Sequence, residues 1–352
     1  MRHEFGLSLP ALGAILSAGF FGTAVSLLAA GIAVDRLGSR AAMAGGAALG
    51  TAGLVGAALA GSPLALGAAL AVFGVGSSVV TIAGTGAVFR AYPPERRGWA
   101  LGVRQMGVPL GGMIGAVLVP GLETVGGVST VLVAAATAVF LSGLAFAAGA
   151  DSVRGLRQAR GFRTILAAPG MQRLLVVAAF YIVVLQAVLV YTVPAARAAG
   201  LSAFAAGATF FAIQATAGVA RIVWGRIADG GGGVRRARTL AEAGVVAAVG
   251  ALLFTVALHA GAAVALPAAA IFGFGALGWN GLVYVSAGER TPPELAARSV
   301  GVAATVIFGL SAVATPVLGA LAHQAGWDTF WLVTAALALG GAAVAATLGE
   351  GR

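Results

Sequence analysis

The sequence contains no cysteine and no lysine, and charged residues make up only 9% of its 352 positions. Without cysteine the chain forms no disulfides and has no thiol chemistry. Without lysine it lacks the Gly-Lys-Ser/Thr loop that cradles nucleotide phosphates, which excludes ATP-driven chemistry by this chain. Soluble globular domains carry about a quarter charged residues, so the scarcity of charge also excludes an ordinary soluble domain.

Groups that carry enzyme chemistry are scarce as well. The three histidines, His3, His259 and His323, do not have metal-ligand spacing. No nucleophile has a base and an orienting acid within a recognisable pattern. We therefore expect no catalytic residues, no metal site, no cofactor and no enzyme activity.

What the chain has instead is long apolar runs, since 60% of its residues are hydrophobic and the mean hydropathy is +1.00. About 20 apolar residues cross the roughly 30 Å hydrocarbon core as a helix, whereas a β-barrel would alternate over about ten residues. The runs are continuous and predict an all-α polytopic membrane protein. Eleven transmembrane spans are predicted, at residues 8–33, 41–61, 64–89, 99–121, 127–149, 172–195, 203–225, 239–260, 264–287, 299–321 and 328–348.

The arginines indicate the topology of these spans. The connections between spans fall into two alternating sets. One set as a whole holds Arg197 and little else. The connections of the other set, or their edges, hold Arg36, Arg40, Arg90, Arg96, Arg97, Arg154, Arg157, Arg160, Arg163, Arg226, Arg235, Arg236, Arg238, Arg290 and Arg298. Cytoplasmic loops are enriched in basic residues. We therefore expect these connections and the C-terminus in the cytoplasm, and interpret the net charge of +10 as a topology signal, not as nucleic-acid binding.

The two halves of the chain repeat one another. Gly31-Ile-Ala-Val-Asp35 matches Gly225-Arg-Ile-Ala-Asp229, AVFGVGSS from Ala71 matches AIFGFGAL from Ala270, and YPPERRGWALGV from Tyr92 matches TPPELAARSVGV from Thr291. Matches in the same order indicate a duplication. We predict an N-terminal bundle at 1–149, a cytoplasmic linker at 150–170 and a C-terminal bundle at 171–352. Because the second half has six spans and the first has five, the repeat predicts that one helix is absent before Met1. Either the chain starts downstream of the true start, or the protein works with eleven spans.

The repeated motif resembles the signature of the major facilitator superfamily, roughly G-x-x-x-D-R-x-G-R-R. The first copy consists of Gly31, Asp35, Arg36, Gly38 and Arg40. It departs from the signature at Ala41, and the second copy retains Gly225 and Asp229 before a run of glycines. We expect this glycine run to make the second connection the looser of the two. The resemblance covers nearly the whole chain and implies a fold of two pseudo-symmetric helical bundles with twelve helices, here without the first.

The resemblance also implies a role for the motif, which in this family is held to latch the two halves on the cytoplasmic side. Asp35, Arg36 and Arg40 would form the latch, with Asp229 as its weaker second copy. Gly31 would let a neighbouring helix approach closely, and Asp35 would accept hydrogen bonds from the N-terminus of a facing helix, where the helix dipole favours an anion. The alternative is that the arginines only anchor the topology.

Polar residues within apolar spans are energetically expensive, which makes them candidates for a substrate path. The candidates are Arg104, Gln105, Gln186, Gln214, Arg221, Trp279, Asn280 and Tyr284. Arg104 and Arg221 together favour an anionic substrate, because a guanidinium binds carboxylates and phosphates through two hydrogen bonds. The alternatives are hydrogen bonding between helices for the amides, extension to the membrane surface for Arg104 and a structural role for Arg221.

The string GVRQMGVPLGG, which begins at Gly102, predicts a bend in the span that carries Arg104. No carboxylate or histidine lies near the middle of a predicted span, so the sequence does not favour proton symport. The resemblance implies a secondary-active or facilitative transporter of a small solute, with an organic or inorganic anion as the candidate. We expect a monomer in the lipid bilayer of the plasma membrane, or inner membrane of a bacterium. The alternative is a related protein that senses a solute without transport, or one that depends on a partner for its first helix.

Overall fold

The computed structural model describes residues 7–149, 162–229, 232–292 and 295–349. Within these ranges the side chains of Leu28, Asp35, Phe89, Arg90, Pro94, Glu95, Arg97, Gly98, Gly149, Phe162, Ala297 and Gly349 are not described. All regular structure in these ranges is helical, as the composition predicts. The helices are α1 (Leu9–Leu37), α2 (Ser39–Ala58), α3 (Pro63–Ala91), α4 (Pro94–Gln105), α5 (Gly107–Gly149), α6 (Phe162–Ala167), α7 (Met171–Ala198), α8 (Ala203–Asp229), α9 (Gly232–Ala260), α10 (Ala262–Ala276), α11 (Asn280–Glu289) and α12 (Ala296–Ala346), followed by a 3-10 turn at Thr347–Gly349.

The lengths of the apolar segments confirm the predicted spans. The described residues contain nine apolar segments long enough to cross a membrane, of which Trp99–Ala148 has 50 residues and Arg298–Ala346 has 49. A continuous helix of 50 residues would be about 75 Å long, more than twice the roughly 30 Å hydrocarbon core. Gly126 and Gly127 break the first segment, and Gly326, with φ of 79°, breaks the second. Each therefore supplies two crossings, which gives the eleven that the sequence predicts.

The chain divides into two compact units, and the first comprises Met1–Ala91, Val119–Arg160 and Ala304–Val317. Here α3 packs against both α1 and α2. A side chain at Gly53 would collide with the backbone of Phe73, whose Cα lies 2.8 Å from the Cβ position. The hydroxyl of Thr23 donates to the carbonyl of Gly74 at 3.0 Å. Small residues thus allow close contact between helices, as in other membrane proteins.

The second unit comprises Tyr92–Leu118, Gly161–Ala303 and Leu318–Arg352. In this unit α10 packs against α8 and α9, and α4 packs against α8 and α11. Aromatic rings fill part of its core: Phe254, Phe272 and Phe330 each lie within 6.0 Å of Trp331 or of one another, centroid to centroid. The short segment Tyr92–Leu118 therefore belongs, by contacts, with residues from the second half of the sequence. The predicted domain boundaries at 149 and 170 stay a prediction.

The sequence repeat has a counterpart in how the helices pack. In the first unit a Cβ on Gly74 of α3 would collide with the backbone of Gly19 in α1, and in the second unit a Cβ on Gly273 of α10 would collide with the backbone of Ile213 in α8. Gly74 and Gly273 are 199 positions apart, and Gly19 and Ile213 are 194 positions apart. These offsets are the ones at which the sequence repeats, so the duplication preserves a helix crossing.

Candidate functional site

The first polar feature lies where α4 meets α5. Helix α4 ends at Gln105 and α5 begins at Gly107, with Met106 in a turn between them. Pro109 has no N–H, so the carbonyl of Gln105, four residues earlier, has no helical donor at that position. This interruption of the helical hydrogen bonds lies at the position where the sequence predicts a bend. It places Arg104 and Gln105, both half-buried, at the end of α4.

The second feature is a break within the segment that contains α10 and α11. Helix α10 ends at Ala276, α11 begins at Asn280, and Leu277–Trp279 between them are not helical. A helix end leaves its last carbonyl groups without partners. Within a membrane such groups are tolerated only where protein or water hydrogen-bonds them.

Side chains supply these partners at the end of α10. The indole nitrogens of two tryptophans and the guanidinium of one arginine each donate to a backbone carbonyl. The bonds are Trp224 Nε1 to Phe274 at 3.0 Å, Trp279 Nε1 to Ala276 at 2.9 Å and Arg221 Nε to Leu277 at 3.1 Å. The break is thus a capped and defined structure.

Arg221 connects the two interruptions. Its Nε donates to the carbonyl of Leu277, and its Nη1 donates to the carbonyl of Gln105. The side chain is only 3% exposed. The backbones at the crossing are close, because a Cβ on Gly102 would lie 3.0 Å from the carbonyl oxygen of Arg221. One buried guanidinium therefore bonds the backbone of two interrupted segments.

Arg104 and Tyr284 lie in the same cluster. Tyr284, on α11, is 3% exposed and interacts electrostatically with both Arg104 and Arg221. Nη1 of Arg104 approaches the side-chain oxygen of Gln105 at 3.5 Å. The structure thus brings together four of the predicted path residues, from α4, α8 and α11.

The amide oxygens of Gln214 and Asn280 are buried and have no hydrogen-bond partner among the described residues. Gln214 is 2% exposed and lies against Gly112 of α5, where a Cβ would come within 2.7 Å of the Gln214 Cδ. Asn280 is the first residue of α11, directly after the break. A buried acceptor without a donor is costly, and such groups are typical of sites that a ligand completes.

Two further predicted path residues occupy other positions. Gln186 is buried in α7 at 1% exposure. The ring of Trp279 packs against Tyr181 at 5.7 Å, and its nitrogen caps Ala276. Trp279 therefore stabilises the break between α10 and α11.

The first copy of the repeated motif lies at the junction of α1 and α2. Gly38 ends α1 with φ of 82°, a left-handed conformation that favours glycine. Arg36 and Arg40 are exposed, and the side chain of Asp35 lies outside the described part. No side chain or neighbouring helix among the described residues lies within 4 Å of the Cβ position of Gly31, and its role in close helix approach stays a prediction.

The second copy of the motif is extensively paired. The carboxylate of Asp229 lies 3.8 Å from Nη2 of Arg236 and accepts the backbone N–H of Trp99, in α4. Arg236 also donates to the carboxylate of Glu289, at the end of α11. The glycine run is only partly a connection, since α9 already begins at Gly232. Residues 230 and 231 lie outside the described residues, so the expected looseness of this connection stays a prediction.

Sequence reasoning missed three residues that organise these sites: Trp224, Arg236 and Glu289. Positive-inside reasoning treats Arg236 only as a topology marker, and Trp224 is one apolar residue in a long apolar span. A signal for Glu289 is present, because the chain has only 11 acidic residues and this one follows the span that carries Asn280 directly.

A cavity of about 710 Å³ lies outside the predicted path. It is bounded by the turn between α6 and α7, the start of α9 and the end of α11, and its walls include Arg173, Glu289 and Arg290. Glu289 is already paired with Arg236. The cavity therefore belongs to the same end of the second unit as the second motif copy.

The sequence matches the family profile of the Major Facilitator Superfamily over residues 1–316. It is 34% identical over 122 residues to uncharacterized MFS-type transporters from two strains of Mycobacterium tuberculosis, CDC 1551 and H37Rv. That match covers 35% of this chain and 27% of each relative. The chain thus matches about a quarter of the length of these curated relatives.

Solved structures of similar fold cover nearly the whole chain. The human organic anion transporter MFSD10 (TETRAN) has a TM-score of 0.74 and 18% identity, over 96% of this chain and 83% of its own. A variant of the E. coli fucose:proton symporter FucP has a TM-score of 0.69 and 18% identity, over 97% and 90%. FucP in the outward conformation has a TM-score of 0.70 and 16% identity, over 96% and 89%. At these identities the likeness shows the fold.

Proposed function

The chain belongs to the major facilitator superfamily, and from that premise we propose that it transports a small solute across a membrane by alternating access. Its two repeated halves and its eleven crossings support this role, because transporters built from repeats place the substrate site near discontinuous helices at the middle of the membrane. The observation that carries the proposal is the capped break between α10 and α11, beside which Asn280 has an unpaired buried oxygen. We also propose a monomer in a plasma membrane with a cytoplasmic C-terminus.

The proposed solute is a small organic or inorganic anion, and Arg104 is its proposed counter-charge. An arginine within an apolar segment is expensive unless it has a function there, and its planar guanidinium matches a carboxylate or phosphate. Arg221 contributes positive potential, but its Nε and Nη1 are bonded to backbone carbonyls. The similarity in fold to a protein named as an organic anion transporter agrees with this class of solute.

Gln214 and Asn280 would orient the solute. Their unpaired amide oxygens accept hydrogen bonds, so they fit a solute that carries hydroxyl or amine donors in addition to its negative charge. Gln105, Gln186 and Tyr284 are proposed as further polar contacts along the path. The proposed mechanism is secondary-active or facilitative, and a facilitative or exchange mechanism fits as well as proton coupling.

The repeated motif is proposed as a conformational latch. In the second copy, Asp229 accepts the N–H of Trp99, in the second turn of α4, and pairs with Arg236. By the repeat, Asp35 would make the equivalent contact in the first copy. Arg36 and Arg40 would then supply the neighbouring positive charge.

A thermal-shift screen followed by uptake measurements tests the proposal. Purified protein would be heated with phosphate, sulfate, mono- and dicarboxylates, and neutral sugars, since a ligand at a hundred times its Kd stabilises the folded state by about 2.7 kcal/mol. We expect anions to raise the unfolding midpoint and to enter proteoliposomes that contain the protein. Arg104→Gln should abolish both effects, whereas Arg226→Gln, a change at an exposed arginine, should preserve them.

Two results would contradict the proposal. Stabilisation by neutral solutes alone would remove the assignment of an anion, as would full anion binding by Arg104→Gln. Binding of an anion without uptake would favour a sensor that does not transport.

A further inference from the structure

The two helix interruptions share one chemical problem, which is a backbone carbonyl without a helical donor. In the α4–α5 interruption Pro109 leaves the carbonyl of Gln105 without its donor. In the α10–α11 break, Leu277 lies between the two helices, outside either one. Each carbonyl needs a partner from elsewhere, because buried backbone groups in membrane proteins are almost always hydrogen-bonded.

Both carbonyls receive a hydrogen bond from the same side chain. Arg221 donates to Leu277 through Nε and to Gln105 through Nη1. The rigid fork of a guanidinium directs donors toward two acceptors at once, whereas the single nitrogen of lysine cannot hold the same geometry. The neighbouring residue Trp224 caps α10 but makes no such bond to α4 or α5 among the described residues.

We propose that Arg221 is a positioning residue that ties the two interruptions together and thereby sets the distance between Arg104 and Asn280. The role of Arg221 in transport rests on the proposed function, whereas the hydrogen bonds that join the two interruptions do not depend on it. Arg104 directly precedes the carbonyl that Arg221 holds on one side, and Asn280 follows three residues after the carbonyl that it holds on the other. A change at Arg221 therefore alters the geometry of the solute site without touching the solute.

The tie makes a specific prediction about Pro109. Alanine at this position restores an N–H that can bond the carbonyl of Gln105 within the helix. The bond from Arg221 then becomes dispensable on this side. The loss of unfolding free energy caused by Arg221→Lys should be smaller in the Pro109→Ala background than in the natural sequence, because both residues act on the same carbonyl of Gln105.

Spin-label distances test the tie without any solute. The chain has no cysteine, so Val103→Cys on α4 and Ile271→Cys on α10 introduce the two labelling sites at exposed positions. We expect a narrow distance distribution with Arg221 and a broad or shifted one with Arg221→Lys. Addition of Pro109→Ala should not restore the narrow distribution, because it satisfies the carbonyl of Gln105 within its own helix without joining it to Leu277. Arg226→Lys should leave the distribution unchanged. An unchanged distribution in Arg221→Lys would overturn the inference.

Transport kinetics in proteoliposomes separate positioning from general stability. We expect Arg221→Lys to raise KM by about fivefold or more, because ground-state and transition-state contacts are both displaced. The inference fails if only the amount of folded protein falls while KM stays constant, or if the losses of unfolding free energy caused by Arg221→Lys and Pro109→Ala simply add. If the unmodified protein transports no anion, the proposed function fails, and the distance measurement still decides whether the tie exists.

Discussion

The side chain of Gln214 occupies the space where Gly112 would otherwise carry a Cβ. The Cδ of Gln214 lies 2.7 Å from the ideal Cβ position of Gly112, which is closer than van der Waals contact allows. Gly112 therefore determines where the buried amide of Gln214 lies. Because Gly112 has no side chain, the amide of Gln214, whose oxygen is unpaired, can lie beside α5.

The first prediction concerns this pair. Gly112→Ala should displace the flexible end of Gln214 and weaken solute binding by about tenfold, an effect of about 1.4 kcal/mol, while the protein stays folded. Gly115→Ala is the matched control on the same helix, because no atom lies within 4 Å of its Cβ position. Binding isotherms on both variants check the prediction. Equal affinities would show that the position of Gln214 does not matter.

The second prediction concerns the first motif copy. Asp35→Asn should leave membrane insertion intact and greatly reduce uptake, because the neutral amide loses the charge that a latch at a helix N-terminus requires. Asp328→Asn serves as the control, since Asp328 pairs with His259 at an exposed position. Initial uptake rates, normalised to the amount of inserted protein, provide the measurement. Unchanged kinetics in Asp35→Asn would leave this motif with a topological role only.

The third prediction concerns the second motif copy. Asp229→Asn removes the carboxylate that interacts with Arg236 and with the N–H of Trp99. It should lower the free energy of unfolding by about 1–1.5 kcal/mol, near the net value of one internal hydrogen bond, because desolvation of the carboxylate offsets part of its attraction to Arg236. Glu242→Gln is the control, because its pair with Arg238 is exposed and such pairs are worth about 0–1 kcal/mol. Denaturation in detergent would contradict this view if both variants lost the same stability.

The fourth prediction concerns the duplicated helix crossing. Gly273→Ala should lower the free energy of unfolding by about 1–3 kcal/mol through overpacking, since Cα of Ile213 lies 2.7 Å from the new Cβ. Gly74→Ala should do the same at the repeat-related crossing with Gly19. Gly309→Ala meets no atom within 4 Å and should instead be neutral or gain up to about 1 kcal/mol from helix propensity. Thermal unfolding of the three variants would refute the equivalence if Gly74→Ala and Gly273→Ala differed in sign.

Much of the fold was predictable because it depends on local properties of the chain. Span length follows from the thickness of the hydrocarbon core, and the repeat is visible as matching strings in the same order. The polar candidates were found because a residue such as Arg104 is unusual in an apolar segment. The packing around Gly31 stays a prediction, because whether a glycine meets a neighbour depends on a helix that the local sequence does not identify.

The role of Arg221 illustrates what was not predictable. Its two acceptors, the carbonyls of Gln105 and Leu277, lie 116 and 56 residues away in the chain. Neither acceptor is distinguished by its side chain, because every residue has a carbonyl. Only the break after Ala276 and the proline at 109 make these two carbonyls available, and only the fold brings them to one guanidinium.

Hydrophobic length, arginine placement and repeated strings are properties of the chain, and they indicate an all-helical membrane protein of duplicated halves. Which polar residues bond the backbone, and which retain free hydrogen-bonding groups, depends on the folded structure. Arg221 and Trp279 cap helix ends, whereas the amide oxygens of Gln214 and Asn280 have no partner among the described residues. The reason is that hydrogen-bond satisfaction depends on atoms that are near in space but distant in sequence.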